Sequence, residues 1–245
     1  MAESKSQLVA HKDTNKVSYE QVCVIPAPES TRYWKPVTHK ELIDGLKTEC
    51  IARGFEITKE EFAINPSGTK LFGTLDLSLS LADGITSAVG FRHSNDKSMA
   101  IHTVAGGRVF VCDNLMLSGD VTILKQKHNW SYNLRDLIQR GMDRWQNKRV
   151  EMATSIERMQ NTPINDTTAQ ALLGKALYDG ITTFQTFKLA YDLYFTRSVN
   201  HPELYPDVAP RSAWGLHNAY TRALKETLPN VAFNSNIALG KLFKV

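Results

Sequence analysis

The sequence KLFGTLDLSLSL, residues 70 to 81, alternates apolar and polar side chains through its second half. In an extended strand, this alternation places every second residue from Leu75 to Leu81 on one face and the polar residues between them on the other. Such a strand is typical of an antiparallel sheet that is covered on one face only. We therefore expect other elements to pack against the leucine face.

Further short β-rich segments flank this strand. They are FEITKEEFAI (55–64), GITSAVGFR (84–92), SMAIHTV (98–104) and RVFVCDN (108–114). The residues between them, NPSG, ADG, HSND and AGG, are of the types that form tight turns. This order of strands and turns predicts an antiparallel β-meander.

Helical patterns occur before and after the meander. Thr38 and Glu41 have the spacing of a capping box, which predicts a helix that ends near Gly54. A long amphipathic helix is predicted from Leu134 to about Met159, because apolar residues recur there at spacings of three and four. We predict a second long helix after a capping box at Thr167 that forms a helical hairpin with the first, then a third over AWGLHNAYTRALKETL (213–228). The final segment, PNVAFNSNIALGKLFKV (229–245), is left unassigned.

The predicted fold class is therefore α+β: an N-terminal helix, an antiparallel β-meander, and then packed long α-helices, namely a helical hairpin plus a C-terminal helix. Residues 1–37 are expected to form an N-terminal arm outside the core. Residues 38–130 would contain the first helix and the sheet, and residues 131–245 the helices that pack on the sheet. All of these would form one compact unit.

The composition limits the cellular setting. The three cysteines have no C-x-x-C spacing, which argues against a disulfide framework or a structural zinc site. No signal peptide or membrane-spanning run is recognisable, so we predict a cytoplasmic protein without membrane contact. No cofactor or metal motif is found, and the oligomeric state, including a homo-oligomer, stays open. The net charge of +4 permits a polyanionic partner without requiring one.

Basic residues are concentrated in and just before the first long helix. If nucleic acid binds, this region is the expected contact, and an aromatic ring there would stack on bases. A solvated helix face is the alternative interpretation. The candidate nucleic-acid-binding residues are Lys125, Lys127, Trp130, Arg135, Arg140, Arg144, Lys148 and Arg149.

Three sequence blocks, FRHSNDKS, GGRVFVCDN and SAWGLHNAYTRALKE, resemble those of a phage- and plasmid-related protein family classed as a domain of unknown function. The resemblance covers roughly residues 40 to 225, with Lys97 and Leu115 as departures from the family pattern. It implies a mobile-element protein in a bacterial host and brings no established activity. The candidate site residues that it implies are Arg92, Asn95, Asp96, Ser98, Arg108, Cys112, Asn114, Asn218 and Thr221.

Each part of these blocks has a structural and a functional interpretation. The loop at residues 92–98 is either a tight hairpin or, with Arg92 and Lys97, an anion-binding loop. Cys112 is either a buried apolar residue or a nucleophile activated by His93 or His102. Metal binding by His93, Asp96, His102 and Asp113 is a further option without a supporting ligand spacing.

We predict a phage- or plasmid-encoded protein that handles nucleic acid by binding DNA, with single-stranded DNA as one option. A similarity in architecture to the single-strand-annealing proteins of phages is an analogy only. The first alternative is a non-enzymatic protein that binds or inhibits a host protein. The second is an enzyme that uses the loops at 92–98 and 112–114. No catalytic residue is assigned, and a non-enzymatic role is favoured.

Overall fold

The structure, a computed structural model, describes residues 14–109 and 114–243, with the side chains of 109 and 114–120 left aside. It confirms the predicted α+β class. In chain order the elements are β1 (Asn15–Val17), α1 (Tyr19–Cys23), α2 (His39–Ala52), β2 (Ile57–Ile64), β3 (Lys70–Ala82), β4 (Ile85–Ser94), β5 (Ile101–Val109), β6 (Asn114–Gln126), α3 (Leu134–Asn161), α4 (Asp166–Tyr178), α5 (Phe184–Asp192), a π-helical turn (Leu193–Arg197), α6 (Ser198–Asn200), α7 (Ala213–Leu224) and α8 (Pro229–Phe243).

The described strands form one antiparallel sheet in the order β1-β2-β3-β4-β5-β6, so the predicted meander is confirmed. Each strand pairs with its neighbour in the sequence. Short turns join β2 to β3, β3 to β4 and β4 to β5, whereas α1 and α2 lie between β1 and β2. β6 forms one edge of the sheet, and β1 forms the other.

Two strand predictions were wrong. The glycines of AGG were taken as a turn, yet Gly106 and Gly107 lie within β5 and pair with Leu117 and Met116 of β6. Most of β6 was also missed. Glycine permits a turn without enforcing one, and here the hydrogen bonds to the neighbouring strand keep the chain extended.

The capping box that begins α2 is present as predicted. The Thr38 side chain accepts from the backbone of Glu41, and the Glu41 carboxylate accepts from the backbone of Thr38. Gly54, just after the helix, adopts a φ of 75°, a conformation that residues with a Cβ rarely reach. α3 also begins where predicted, with Asn133 as its N-cap, and it buries the expected apolar stripe.

The second long helix was predicted wrongly as one continuous element. It is interrupted after α4, where Gly180 takes a φ of 67°, and it resumes as α5. Its N-cap is Asn165, which accepts from the backbone of Thr168, instead of Thr167. α5 then continues through the π-helical turn into α6.

The sheet is covered on both faces, which corrects the prediction of a single covered face. Leu75 and Leu77 are in the main core, together with residues of α2 and α3. On the opposite face, Phe233 of α8 packs against Ala88 and Val104 of the sheet. The sequence of α8 lacks a clear period, so its packing on the sheet was not visible in advance.

Part of the N-terminal arm also belongs to the core, contrary to expectation. Val22 of α1 is fully buried, and Trp34 and Val37 are buried in the segment before α2. These apolar side chains are too isolated in sequence to show a period, but tertiary packing removes them from water. No helix in the described part of the chain combines the length and apolar character needed to cross a membrane.

Candidate functional site

The loop between β4 and β5 is a tight turn held by its own polar side chains. Asp96 accepts hydrogen bonds from the backbone and hydroxyl of Ser98, and the Ser94 hydroxyl accepts from the backbone of Met99 at 2.9 Å. Burial would raise the pKa of Asp96, but the Ser98 hydrogen bonds outweigh it and lower this pKa to about 2. Lys97 has a φ of 66°, a left-handed conformation that glycine adopts more readily than residues with a Cβ.

The structure does not bring Arg92 and Lys97 together as an anion-binding loop. Arg92 reaches towards α8, where its guanidinium carbon lies 5.1 Å from the centre of the Phe233 ring. The Lys97 ammonium instead lies 5.1 Å from the ring of Trp34, which belongs to the opposite side of the sheet. The loop alone therefore lacks the pair of cations that the anion-site hypothesis needs.

Three buried histidines form a chain beneath this loop. His39 Nε2 donates to the Gly68 carbonyl at 2.8 Å, so its Nδ1 is free to accept from His93 Nε2 at 2.6 Å. His93 Nδ1 then faces His128 Nε2 at 3.5 Å. Burial lowers the pKa of all three, and for His93 the neighbouring rings lower it further. The chain is therefore neutral near pH 7 and joins α2, the end of β4 and the segment that follows β6.

The side chain of Asn95, two residues after His93, makes no hydrogen bond to the described residues. Its side chain is 5 % exposed, and neither its amide nitrogen nor its oxygen has a partner among the described residues. The indole nitrogen of Trp34 is also without a partner there. Buried polar groups usually have such partners, so this side of the loop has spare hydrogen-bonding capacity.

A surface with exposed aromatic rings and cations lies where the segment before α2 meets the β6–α3 connection. Trp130 donates from its indole nitrogen to the Thr31 carbonyl at 2.9 Å, which fixes the ring while 55 % of the residue stays exposed. Tyr33 is 77 % exposed. The Lys35 ammonium lies 5.4 Å from the Trp130 ring and the Arg32 guanidinium 5.2 Å from the Tyr33 ring. We call this the aromatic–basic surface, formed by Arg32, Tyr33, Lys35, Lys127, Trp130 and Arg135.

The cations of the aromatic–basic surface are available to a ligand. None of its four basic residues makes an ion pair with the described part of the chain, whereas Lys40 and Lys47 on α2 and Arg53 directly after it are all paired. Lys35 and Arg135 also line a cleft of about 530 Å³ between α2 and the start of α3. Unpaired exposed cations beside aromatic rings are the chemistry that nucleic-acid surfaces use.

The basic residues on α3 divide into two groups. Arg140, Arg144 and Lys148 follow one another at spacings of four, so they share one exposed stripe of the helix. Arg144 is already engaged, since its guanidinium donates to the Ile123 carbonyl at 3.0 Å on the edge strand β6. Arg149 is partly buried and lies outside this stripe. Arg140 and Lys148 are exposed and make no ion pair with the residues that the structure describes, so both can contact a ligand.

Arg108, a candidate from the family blocks, is buried in an ion-pair network. Its Nε donates to Asp76 Oδ1 at 3.0 Å, and its Nη2 donates to the Thr74 hydroxyl at 2.9 Å and lies 3.6 Å from Glu61. Glu61 also accepts from Lys16 at 3.0 Å. Burial raises the pKa of Asp76, although the charge of Arg108 opposes this. These contacts tie β1, β2, β3 and β5 together, which gives Arg108 a structural role.

The candidates on α7 are also engaged in internal contacts. Asn218 donates to the Asp207 carbonyl at 3.1 Å, and the Thr221 hydroxyl donates to the Asn218 carbonyl at 3.0 Å. His217 is fully buried between the Trp214 and Phe243 rings, and neither of its nitrogens has a hydrogen-bond partner among the described residues. Burial lowers the pKa of His217 to about 4.

The two loops of the enzyme hypothesis are far apart where the structure describes them. Asn114 pairs with Val109, which in turn pairs with Ile85 at the start of β4, whereas Ser94 ends that strand. Nine residues at about 3.3 Å each separate Ile85 from Ser94, or about 30 Å. Cys112 and Asp113 lie outside the described residues, and so does the side chain of Asn114.

Sequence reasoning missed several site residues. Arg32, Tyr33 and Lys35 lie in a segment whose sequence predicts an arm outside the core. His39 and His128 are separated from His93 by 54 and 35 positions, so no spacing motif could connect them. Of the aromatic–basic surface, the sequence predicts only Trp130, Lys127 and Arg135, because they follow the sheet in one basic and aromatic segment.

Comparison of the chain with protein-family models, curated proteins and solved structures finds no match. The resemblance to the phage- and plasmid-related family therefore stays a prediction. Among residues 14–109 and 114–243, no group of three His, Cys, Asp or Glu side chains is arranged to hold a metal ion.

Proposed function

We propose that this protein binds single-stranded nucleic acid through the aromatic–basic surface. The observation that carries the proposal is the exposure of the Tyr33 and Trp130 rings beside cations that have no carboxylate partner in the described residues. Bases stack on such rings whatever their identity, and the cations attract the phosphate backbone.

A single strand fits this surface better than a duplex does. The bases of a duplex are stacked on one another and offer no free faces, so exposed rings contribute little to its binding. An unpaired strand can place bases against Tyr33 and Trp130 while its phosphates contact Lys35, Lys127 and Arg135. Arg140 and Lys148 on α3 then provide a continuation for the backbone.

The histidine chain supports this proposal indirectly. It links the start of α2 to His128, which lies two residues before Trp130. The segment that carries Trp130 is therefore anchored to the sheet and to α2, and an anchored ring loses less conformational entropy when a base stacks on it. That the strand comes from a phage or plasmid in a bacterial cytoplasm is proposed from the sequence resemblance alone.

A second candidate function is binding of another protein, and one observation favours it. Phe184, Phe187, Tyr191 and Phe195 form a row on α5 and the π-helical turn, with ring centres 6.0, 6.2 and 4.6 Å apart. Phe184 and Tyr191 are exposed. Exposed apolar patches of this kind occur at protein interfaces.

Fluorescence anisotropy with a labelled single strand and a matched duplex tests the proposal. We expect the single strand to bind more tightly at about 50 mM salt and to weaken by orders of magnitude as salt rises, because cations are released from the phosphates. Absence of binding to either oligonucleotide would contradict the proposal and leave protein binding as the better hypothesis.

A further inference from the structure

Arg92 is a partly buried cation that makes no ion pair with a carboxylate of the described residues. Its Nη2 donates to the side-chain oxygen of Asn234 at 3.1 Å, and its Nη1 lies 3.5 Å from the Met99 sulfur. Its Nε is buried and has no partner in the described part of the chain. A cation removed from water normally pairs with an opposite charge, so this guanidinium retains an unmet preference for an anion.

His102 lies beside Arg92 with a second unmet group. The two residues are direct cross-strand partners, so their side chains share the face of the sheet that α8 covers. His102 is only 7 % exposed, and its Nδ1 has no hydrogen-bond partner among the described residues. Burial first, and then the charges of Arg92 and Lys125, lower the pKa of His102 to about 4.

Lys125 completes a row of three basic residues across neighbouring strands. It pairs with His102 across β5 and β6, so its side chain lies on the same face. Lys125 is exposed and makes no ion pair with the described residues. The groups of α8 that face this row, Phe233 and Asn234, carry no charge.

A ligand can reach this row from solvent. The hydrogen bond between Arg92 and Asn234 lies at the surface, and Lys125 is exposed at the other end of the row. The Asn234 amide can rotate so that its nitrogen donates to an anion in place of its present contact. The row can therefore supply a guanidinium, an imidazole, an ammonium and an amide to one group.

We infer that Arg92, His102 and Lys125 form a binding site for a tetrahedral oxyanion of the phosphate type. The phosphate is either a free ion or a phosphodiester of a nucleic acid, since both present the same oxygens to a guanidinium. The site shares no residue with the aromatic–basic surface, and the inference does not depend on the proposed function.

The most direct test follows the His102 ring by NMR in protein with ¹⁵N-labelled histidine, assigned with a His102→Gln variant. Sulfate is the first probe because, unlike phosphate, it does not change protonation near neutral pH. At about 20 mM sulfate, enough to fill a site with a millimolar Kd, we expect the pKa of His102 to rise by about one unit. Sodium chloride at equal ionic strength controls for screening. His217, buried between aromatic rings, is the internal reference and should not shift.

Two variants separate a built site from a general salt effect. In Arg92→Gln, the sulfate concentration that gives half of the His102 pKa shift should rise by at least about tenfold, because the guanidinium is the main donor. In Lys125→Gln, this sulfate concentration should rise by about threefold, since an exposed ammonium contributes less. Because Lys125 is exposed, its variant keeps the test valid even if Arg92→Gln lowers stability.

The source of the phosphate follows from two further titrations with wild-type protein. A shift of His102 with both inorganic phosphate and an oligonucleotide identifies a phosphodiester site. A shift with inorganic phosphate alone identifies a site for the free ion, and either result supports the inference. The inference would be overturned if the pKa of His102 did not shift with sulfate, phosphate or oligonucleotide. It would also be overturned if Arg92→Gln and Lys125→Gln both responded to sulfate as the wild type does. If the wild-type protein shows the sulfate-dependent shift but binds no oligonucleotide, the proposed function is rejected and the oxyanion site is kept.

Discussion

Gly141 of α3 lies directly against the backbone of Ile123 on the edge strand β6. A Cβ atom at Gly141 would lie 2.0 Å from the Ile123 carbonyl oxygen, well inside van der Waals contact. One turn further along α3, Arg144 donates to the same carbonyl at 3.0 Å. The helix thus covers the strand edge closely and satisfies one of its outward carbonyls, which would otherwise be open to pairing with another chain.

Gly141→Ala should lower the free energy of unfolding by about 3 kcal/mol, because the backbone of β6 cannot move away without breaking its pairing with β5. Gly174→Ala is the matched control, since a Cβ there meets nothing within 4 Å. That change lies in an exposed part of α4 and should raise stability by up to about 1 kcal/mol. Urea denaturation of both variants gives the comparison. Equal effects at the two positions would contradict the close packing of α3 on β6.

Arg108 should contribute to stability and not to ligand binding. Arg108→Met leaves Asp76 buried without its cation and removes one of the positive charges beside Glu61, and we expect a loss of about 3 to 5 kcal/mol in the free energy of unfolding. Adding Asp76→Asn should recover part of this loss, because one buried carboxylate is then neutral. Arg197→Met, which breaks an exposed pair with Asp192, should change stability by less than about 1 kcal/mol. An Arg108→Met protein that is as stable as the wild type but no longer binds a single-stranded oligonucleotide would show that Arg108 belongs to the binding site.

His217 should make the protein less stable as the pH falls. Its pKa is lowered from 6.5 to about 4 in the folded state, so the unfolded chain gains a proton between these values before the folded chain does. Stability is therefore complete above this window and falls by about 1.4 kcal/mol per pH unit within it. His217→Phe keeps a ring between Trp214 and Phe243. It should remove the contribution of this one titrating group to the pH dependence of the free energy of unfolding.

Urea denaturation at several values between pH 7 and pH 5 measures this effect. At pH 7 we expect His217→Phe to have nearly the wild-type free energy of unfolding, because the His217 nitrogens make no hydrogen bond to the described residues that the variant would remove. His201→Gln is the control, since His201 is exposed in the folded chain as well as in the unfolded one. An unchanged pH slope in His217→Phe would mean that the ring is solvated in the folded protein.

Local patterns in the sequence were sufficient for the elements that depend on local interactions. The capping box of Thr38 and Glu41 and the apolar stripe of α3 both involve residues within a turn or two of one another, so their structures followed from spacing. The meander was predictable because its turns are short and its leucine alternation is regular. The same reasoning failed at Gly106 and Gly107, where pairing with β6 decides the conformation.

The site depended on contacts that sequence spacing does not encode. The basic and aromatic segment from Lys127 to Arg135 was recognised because it is continuous in the chain. Tyr33 and Lys35 join it through tertiary contacts, namely the hydrogen bond from Trp130 to the Thr31 carbonyl and the contact of the Lys35 ammonium with the Trp130 ring. Arg92 and His102 become neighbours through the register of β4 and β5, which the turn composition alone does not fix.

The two exposed tyrosines offer the most direct measurement of the central claim. Tyr33 is 77 % exposed on the aromatic–basic surface, and Tyr178 is 92 % exposed at the end of α4, in a different part of the fold. Neither Tyr33→Ala nor Tyr178→Ala should affect folding, since both side chains are mostly in water. Anisotropy titrations with one labelled single strand compare the two variants with the wild type. Loss of a stacked base is worth about 1 to 3 kcal/mol, so Tyr33→Ala should weaken binding by about 5- to 150-fold. Tyr178→Ala should bind like the wild type, whereas wild-type affinity in Tyr33→Ala, or an equal loss in both variants, would contradict single-strand binding by this surface.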